Sequence, residues 1–134
     1  MTDGPASLNG AFVRSLPDDG PVVMVNLMRF REQALDGTGS GFDAYVRYSK
    51  ADMPLLKRVG GTVLWAGRVE GAALGNLGEG RWDWVAIVHY PSRAAFLNMM
   101  TSPEYAVANV DRENGVEDHV ILAANQTYSK FGRQ

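Results

Sequence analysis

Residues 59–71 read "VGGTVLWAGRVEG", a helix stop and a strand start in one phrase. Gly60 suits the left-handed position that follows a last helical turn. Thr62 to Val69 then supplies β-branched and aromatic residues, which favour a strand. The elements on either side of this junction define the fold.

Upstream, Phe42 to Val59 places apolar residues at 42, 45, 46, 53, 56 and 59, a helical spacing. Pro54 interrupts it, so a kink or a restart is expected there. The Gly-rich "LDGTGSG" (35–41) precedes this helix, and before it "VVMVNLMRF" (22–30) is apolar on both parities. That pattern predicts a strand covered on both faces. Residues 7–16 put Leu8, Phe12, Val13 and Leu16 on one helical face, with Ser7 as N-cap and Pro17 as stop, and "PDDG" (17–20) is a turn.

Downstream, "GAALGNLGEG" (71–80) is a loop and "WDWVAIVHY" (82–90) the strongest strand in the chain. Pro91-Ser92 gives a turn and an N-cap for the helix "RAAFLNMM" (93–100). After Ser102-Pro103, "PEYAVANVDREN" continues as a second helical piece, closed by Asn114-Gly115. Serine as N-cap, proline at the first helical position and Glu104 in the first turn form an ordinary helix start, so Ser102 reads as a cap and not as a nucleophile. "DHVILAANQTY" (118–128) ends the order as a strand.

The order is a helix and then β-α-β-β-α-β. This is the ferredoxin-like arrangement, an α+β fold with a four-stranded antiparallel sheet and two helices on one face. Residues 1–20 form an N-terminal helix and turn, and 21–134 a single domain. Because the strands are apolar on both parities, the uncovered sheet face needs a partner. A second copy across a two-fold axis, closing a dimeric α/β barrel, is the economical one.

Bulk properties narrow the function classes. The 134 residues are 46% hydrophobic and 21% charged, with 13 basic and 15 acidic residues and a net charge of −2. Nothing in that balance favours nucleic acid or a membrane surface. There is no cysteine, which excludes disulfides, thiolate catalysis and cysteine metal sites. The first twenty residues lack a basic start followed by an apolar run, and no apolar run is long enough to span a bilayer, so a cytoplasmic location is expected.

"PVVMVNLMRFR" (21–31), "KRVGGTVLWAG" (57–67), "WVAIVHYPSRAAF" (84–96) and "MMTSPEYAVANVDR" (99–112) resemble, in order and spacing, the uncharacterised family called domain of unknown function 1330, of the dimeric α/β-barrel superfamily. The resemblance spans roughly residues 21–124 and implies a ferredoxin-like subunit and a homodimer. The wider superfamily includes cofactor-free oxygenases, isomerases, haem enzymes and ligand-binding proteins, and fold kinship alone does not choose among them. His89 stands where the family pattern leads one to expect an acidic residue.

Six residues are candidates for chemistry. Asn26 is an amide inside an apolar strand, and burying it without partners costs about 1–3 kcal/mol, so it bonds either backbone or ligand. The structural use is the commoner one. Asn26 with Trp65 resembles the amide and indole sets by which cofactor-free oxygenases of the superfamily hold an aromatic substrate; most such tryptophans, Trp82 and Trp84 included, are core or interface. Tyr45 and Tyr48 neighbour each other on a helix, Tyr45 within the apolar stripe and Tyr48 at its edge. His89, at a strand end, is a candidate base, against the commoner reading of a histidine satisfied by backbone. Tyr105 shares a helical face with Ala108, Asn109 and Arg112 and can aim a phenol and a guanidinium one way. His119 is assigned to the surface. Two distant histidines offer no metal spacing, and no phosphate loop, nucleophile elbow or other cofactor motif occurs, so no cofactor is expected. The expectation is a homodimer with a mainly apolar pocket between sheet and helices, with His89 and Tyr105 as candidate catalytic groups. Asn26, Tyr45, Trp65 and Arg112 are candidate ligand contacts for a small aromatic or carbonyl molecule. The enzyme types this suggests are a cofactor-free oxygenase or an isomerase; a non-catalytic binding module or a structural dimer are the alternatives.

Overall fold

The computed structural model describes residues 4–16, 20–77 and 82–130. The elements run α1 (Gly10–Ser15), β1 (Val22–Phe30), α2 (Gly41–Arg58), β2 (Thr62–Arg68), β3 (Trp84–Tyr90), α3 (Arg93–Met100), α4 (Pro103–Gly115) and β4 (Val116–Ala124). The sheet order is β2-β3-β1-β4, and every neighbouring pair is antiparallel. This is the ferredoxin-like order expected from the sequence, with the second helix split in two at the Ser102-Pro103 joint.

Alternation along each strand decides what faces the helices. Val22 and Met24 of β1 and Val88 and Tyr90 of β3 pack with Tyr48 and Leu56 of α2, Phe96 and Met99 of α3, and Tyr105 and Ala108 of α4. The even-numbered residues of β1 and β3 therefore face the helical layer. The odd-numbered ones, including Val25, Leu27, Val85 and Ile87, form the opposite face of the sheet.

Four local readings change. Asn9, not Ser7, precedes the first turn of α1, and it caps without a side-chain bond; the expected stop at Pro17 lies outside the described residues. Helix α2 begins one residue early because Ser40 and Asp43 form a capping box, each side chain bonding the other's backbone N–H. It does not restart at Pro54 but runs unbroken to Arg58. Tyr48 and Leu56, buried on either side of the proline, hold both halves against the core. Gly115 is still helical and has no positive φ; it is needed for space. A Cβ there would lie 2.2 Å from the Gly41 carbonyl oxygen, because the end of α4 crosses the start of α2 backbone to backbone. Gly60 does adopt the left-handed conformation, φ +83°.

The Ser102 joint behaves as expected. Its hydroxyl accepts from the Tyr105 N–H at 3.1 Å and donates to the Met99 carbonyl at 2.8 Å, so it is fully occupied as a cap.

Candidate functional site

Between the sheet and the helices lies a cleft of two adjoining chambers. The inner one, about 260 Å³, lies under α2 and is lined by Asn26, Tyr45, Tyr48, Asp52, Trp84 and Tyr90 among others. The outer one, about 460 Å³, lies between α1 and β4 and is lined by Leu8, Phe12, Arg112 and residues 119–123. Met24, Phe96, Met100, Tyr105, His119 and Ile121 border both. The walls are mostly apolar, and the few polar groups converge from four elements, the usual make-up of a small-molecule site.

One polar chain runs across the shared wall. The Arg112 guanidinium donates to His119 Nδ1 at 2.9 Å. Because arginine can only donate, that nitrogen accepts, and the ring proton sits on Nε2. Nε2–H then donates to Asn26 Oδ1 at 2.9 Å, and the Asn26 amide donates to the carbonyls of Met24 and Ala86, each at 3.2 Å. Burial, with the Arg112 charge second, lowers the His119 pKa to about 3, so the imidazole is neutral at ordinary pH. With both ring nitrogens engaged it orients Arg112 and does not act as a base.

A second set lines the inner chamber. Tyr48 and Tyr105 share a hydrogen bond of 3.0 Å between their hydroxyls. Burial raises both phenols, Tyr105 to about 12 and Tyr48 well above its usual value, so both are neutral donors or acceptors. Tyr45 is raised to about 12, again chiefly by burial. Asp52 stands one turn beyond Tyr48 with its Oδ1 buried and without a partner. Burial raises its pKa to about 6, with the nearby Tyr48 hydroxyl pulling the other way. A carboxylate tuned near neutrality and facing a cavity is a proton acceptor in waiting.

The structure brings together Asn26, Tyr45, Tyr105 and Arg112 of the six candidates. It separates the other two. His89 pairs with Val23 and Thr62, and Trp65 with Ile87, all on the sheet face turned away from the helices. For His89 the odd parity of its position decides this. For Trp65 the register shift between Val63 and Trp65 does. Neither reaches the cleft. His119, assigned to the surface by its acidic neighbour and strand-start position, instead pairs with Met28 and turns inward. Asp52 is not among the sequence candidates, although the i, i+4 step from Tyr48 puts it on the buried face of α2. Among the described residues no three His, Cys, Asp or Glu side chains cluster as metal ligands, and no helix is long and apolar enough to cross a membrane.

Comparison with known proteins fits this architecture. The family described as Domain of unknown function (DUF1330) matches residues 41–126. The chain belongs to this family. A protein of unknown function from Rhodopseudomonas palustris is similar to this DUF1330 chain at 35% identity and a TM-score of 0.82, over 95% of this chain and 98% of that one. Two more distant likenesses are of fold alone. A dimeric ferredoxin-like protein of unknown function from Thermobifida fusca has 14% identity and a TM-score of 0.52, over 80% of this chain and 92% of its own. The hydroxynitrile lyase of Passiflora edulis has 17% identity and a TM-score of 0.58, over 83% and 99%. No curated protein matches the chain.

Proposed function

We propose that this DUF1330 protein is a homodimer that binds a small organic molecule, aromatic or carbonyl-bearing, in the two-chamber cleft of each subunit. The observation that carries the reading is the shared wall, where Tyr105, His119 and Arg112 meet inside apolar surroundings large enough for a ligand. A wholly structural subunit would have filled that space, since interiors pack with few voids larger than a water molecule.

The test is a thermal-shift panel of aromatic and carbonyl compounds, run on the native chain and on two space-filling variants. Ala86→Leu obstructs the inner chamber and Ala123→Trp the outer one, the latter at a position exposed enough to accept a large side chain. Compounds that stabilise the native protein should lose their effect in one variant or the other. A panel without a single stabilising compound, or with hits indifferent to both substitutions, sinks the reading.

Pairing is supported by the sheet face opposite the helices. Trp65 is 46% exposed there and Leu122 52%, beside Val25, Leu27, Val85 and Ile87. Exposed apolar surface of this kind commonly marks an interface, and the Thermobifida fusca protein of the same fold is dimeric. Light scattering at micromolar concentration should give the mass of two chains; a monomer contradicts the pairing.

One observation favours chemistry over simple binding. Asp52, unpartnered at Oδ1 and with a pKa raised to about 6, suits proton abstraction from a carbonyl compound, as in an isomerase. The corresponding variant, Asp52→Asn, then abolishes turnover while leaving ligand stabilisation in place. Equal turnover in the variant leaves the protein a binder.

A further inference from the structure

Among the described residues the Arg112 guanidinium has no counter-charge close to it. Arg29, Arg47 and Arg58 each face a carboxylate within 4.0 Å. Arg112 has no acidic partner at that range among the described residues. Its contacts are two neutral acceptors, Asn109 Oδ1 on the preceding turn and His119 Nδ1 across the wall. These fix the plane of the guanidinium without cancelling its charge. Arg112 carries five N–H donors, and these contacts occupy Nε and one proton of Nη1.

The surroundings make that charge unusual. Arg112 lines the outer chamber, whose described lining contains no aspartate or glutamate. The remainder of the chamber is largely apolar, with Leu8, Phe12, Val13, Phe96 and Ile121 prominent. A partly buried cation in such a place is costly unless something anionic completes it. Arg93 offers the contrast within the same chain, for it is spent on the Gly20 and Pro21 carbonyls and the Asn125 amide oxygen and lines neither chamber.

We propose that the cleft's ligand is a monocarboxylic acid with an apolar body, its carboxylate held by Arg112 and its body in the outer chamber between α1 and β4. The proposal rests on the reading of the cleft as a ligand site and adds the ligand's class. The planar fork of arginine matches a carboxylate with two parallel N–H···O bonds. His119 holds the fork in place through the Asn26 anchor, so it is a positioning residue. Tyr105, on the same helix face, borders the point where the carboxylate and the inner chamber meet. A group carried next to the carboxylate therefore lies toward the chamber that contains Asp52.

Calorimetric titration with matched probes tests this. Phenylacetate and octanoate present the carboxylate; phenylacetamide and octanamide keep the same bodies without the charge. Both acids should bind the native chain, and both amides about tenfold or more weaker, the worth of a charge-assisted contact. Arg112→Gln should weaken the acids by about tenfold to a hundredfold and change the amides less than about threefold. Ala123→Trp should block both acids. Should Arg112→Gln fail to fold, the acid–amide comparison on the native chain decides alone. Amides that bind as well as acids overturn the carboxylate claim and leave the cleft standing. So does an absence of binding by all four probes while other compounds of the thermal-shift panel bind. A panel with no ligand at all overturns the cleft reading itself.

Discussion

Asp52 and His119 titrate in opposite senses, and their combination shapes how stability varies with pH. His119 has a folded pKa of about 3 against 6.5 in an open chain. Between those values the unfolded state binds the extra proton, so this residue makes the fold less stable as pH falls from about 6.5. Asp52 has a folded pKa of about 6 against 3.8. There the folded state holds the extra proton, so stability is lost as pH rises from about 4 to 6, and the loss persists above. In the window between about pH 4 and 6 the two slopes oppose each other. Asp52→Asn should therefore gain about 1–3 kcal/mol of stability at pH 7 and almost nothing at pH 4. Urea melts at the two pH values check this; an equal gain at both would show that the Asp52 carboxylate is not desolvated. The sequence hid this pair for different reasons. Asn26 and His119 are 93 positions apart, and only the β1–β4 register reveals that Met28 opposite His119 turns the ring inward. Asp52 was within reach of helical periodicity, because Tyr45, Tyr48, Asp52 and Leu56 fall on one face of α2, but a carboxylate inside an apolar stripe is easily read as its edge.

At the level of elements, the order of helices and strands was legible because each boundary carries local chemistry. Ser92 and Ser102 cap their helices, Gly60 turns the chain out of α2, and Pro103 occupies the first turn of α4. Face assignments were less legible. A strand apolar on both parities gives no sign of which parity meets the helices, and the shift between Val63 and Trp65 changes side partway along β2. That is why Trp65 and His89 were drawn toward a cleft they do not touch. The role of Gly115 was hidden as well, since a glycine after asparagine at a helix end suggests a left-handed cap. Its actual role, closeness to Gly41, is a contact between elements 74 positions apart. Gly115→Ala is expected to cost about 1–3 kcal/mol through overpacking of the α2–α4 crossing, read as a lower urea midpoint with an unchanged slope. A neutral result would mean that the two backbones part easily. It would also weaken the view that this crossing fixes α4, and with it Tyr105 and Arg112.

For the molecule as a whole, the sheet divides two tasks. Its helix-facing side supports the cleft, with β1 and β3 forming the floor, β4 supplying His119 and the helices supplying the phenols, Asp52 and Arg112. Its other side presents the apolar residues proposed to meet a second copy. Such a division lets the rigid paired strands hold Asn26 and His119 while α1 and β4 border the outer chamber. The central claim is that this chamber receives a ligand through Arg112. The most direct measurement is a crystal structure grown in the presence of phenylacetate. The account predicts the ring between Phe12 and Ile121, with both carboxylate oxygens about 2.7–2.9 Å from the Arg112 guanidinium. Phenylacetate absent from the chamber, with the space closed by inward rotation of its own side chains, would contradict it.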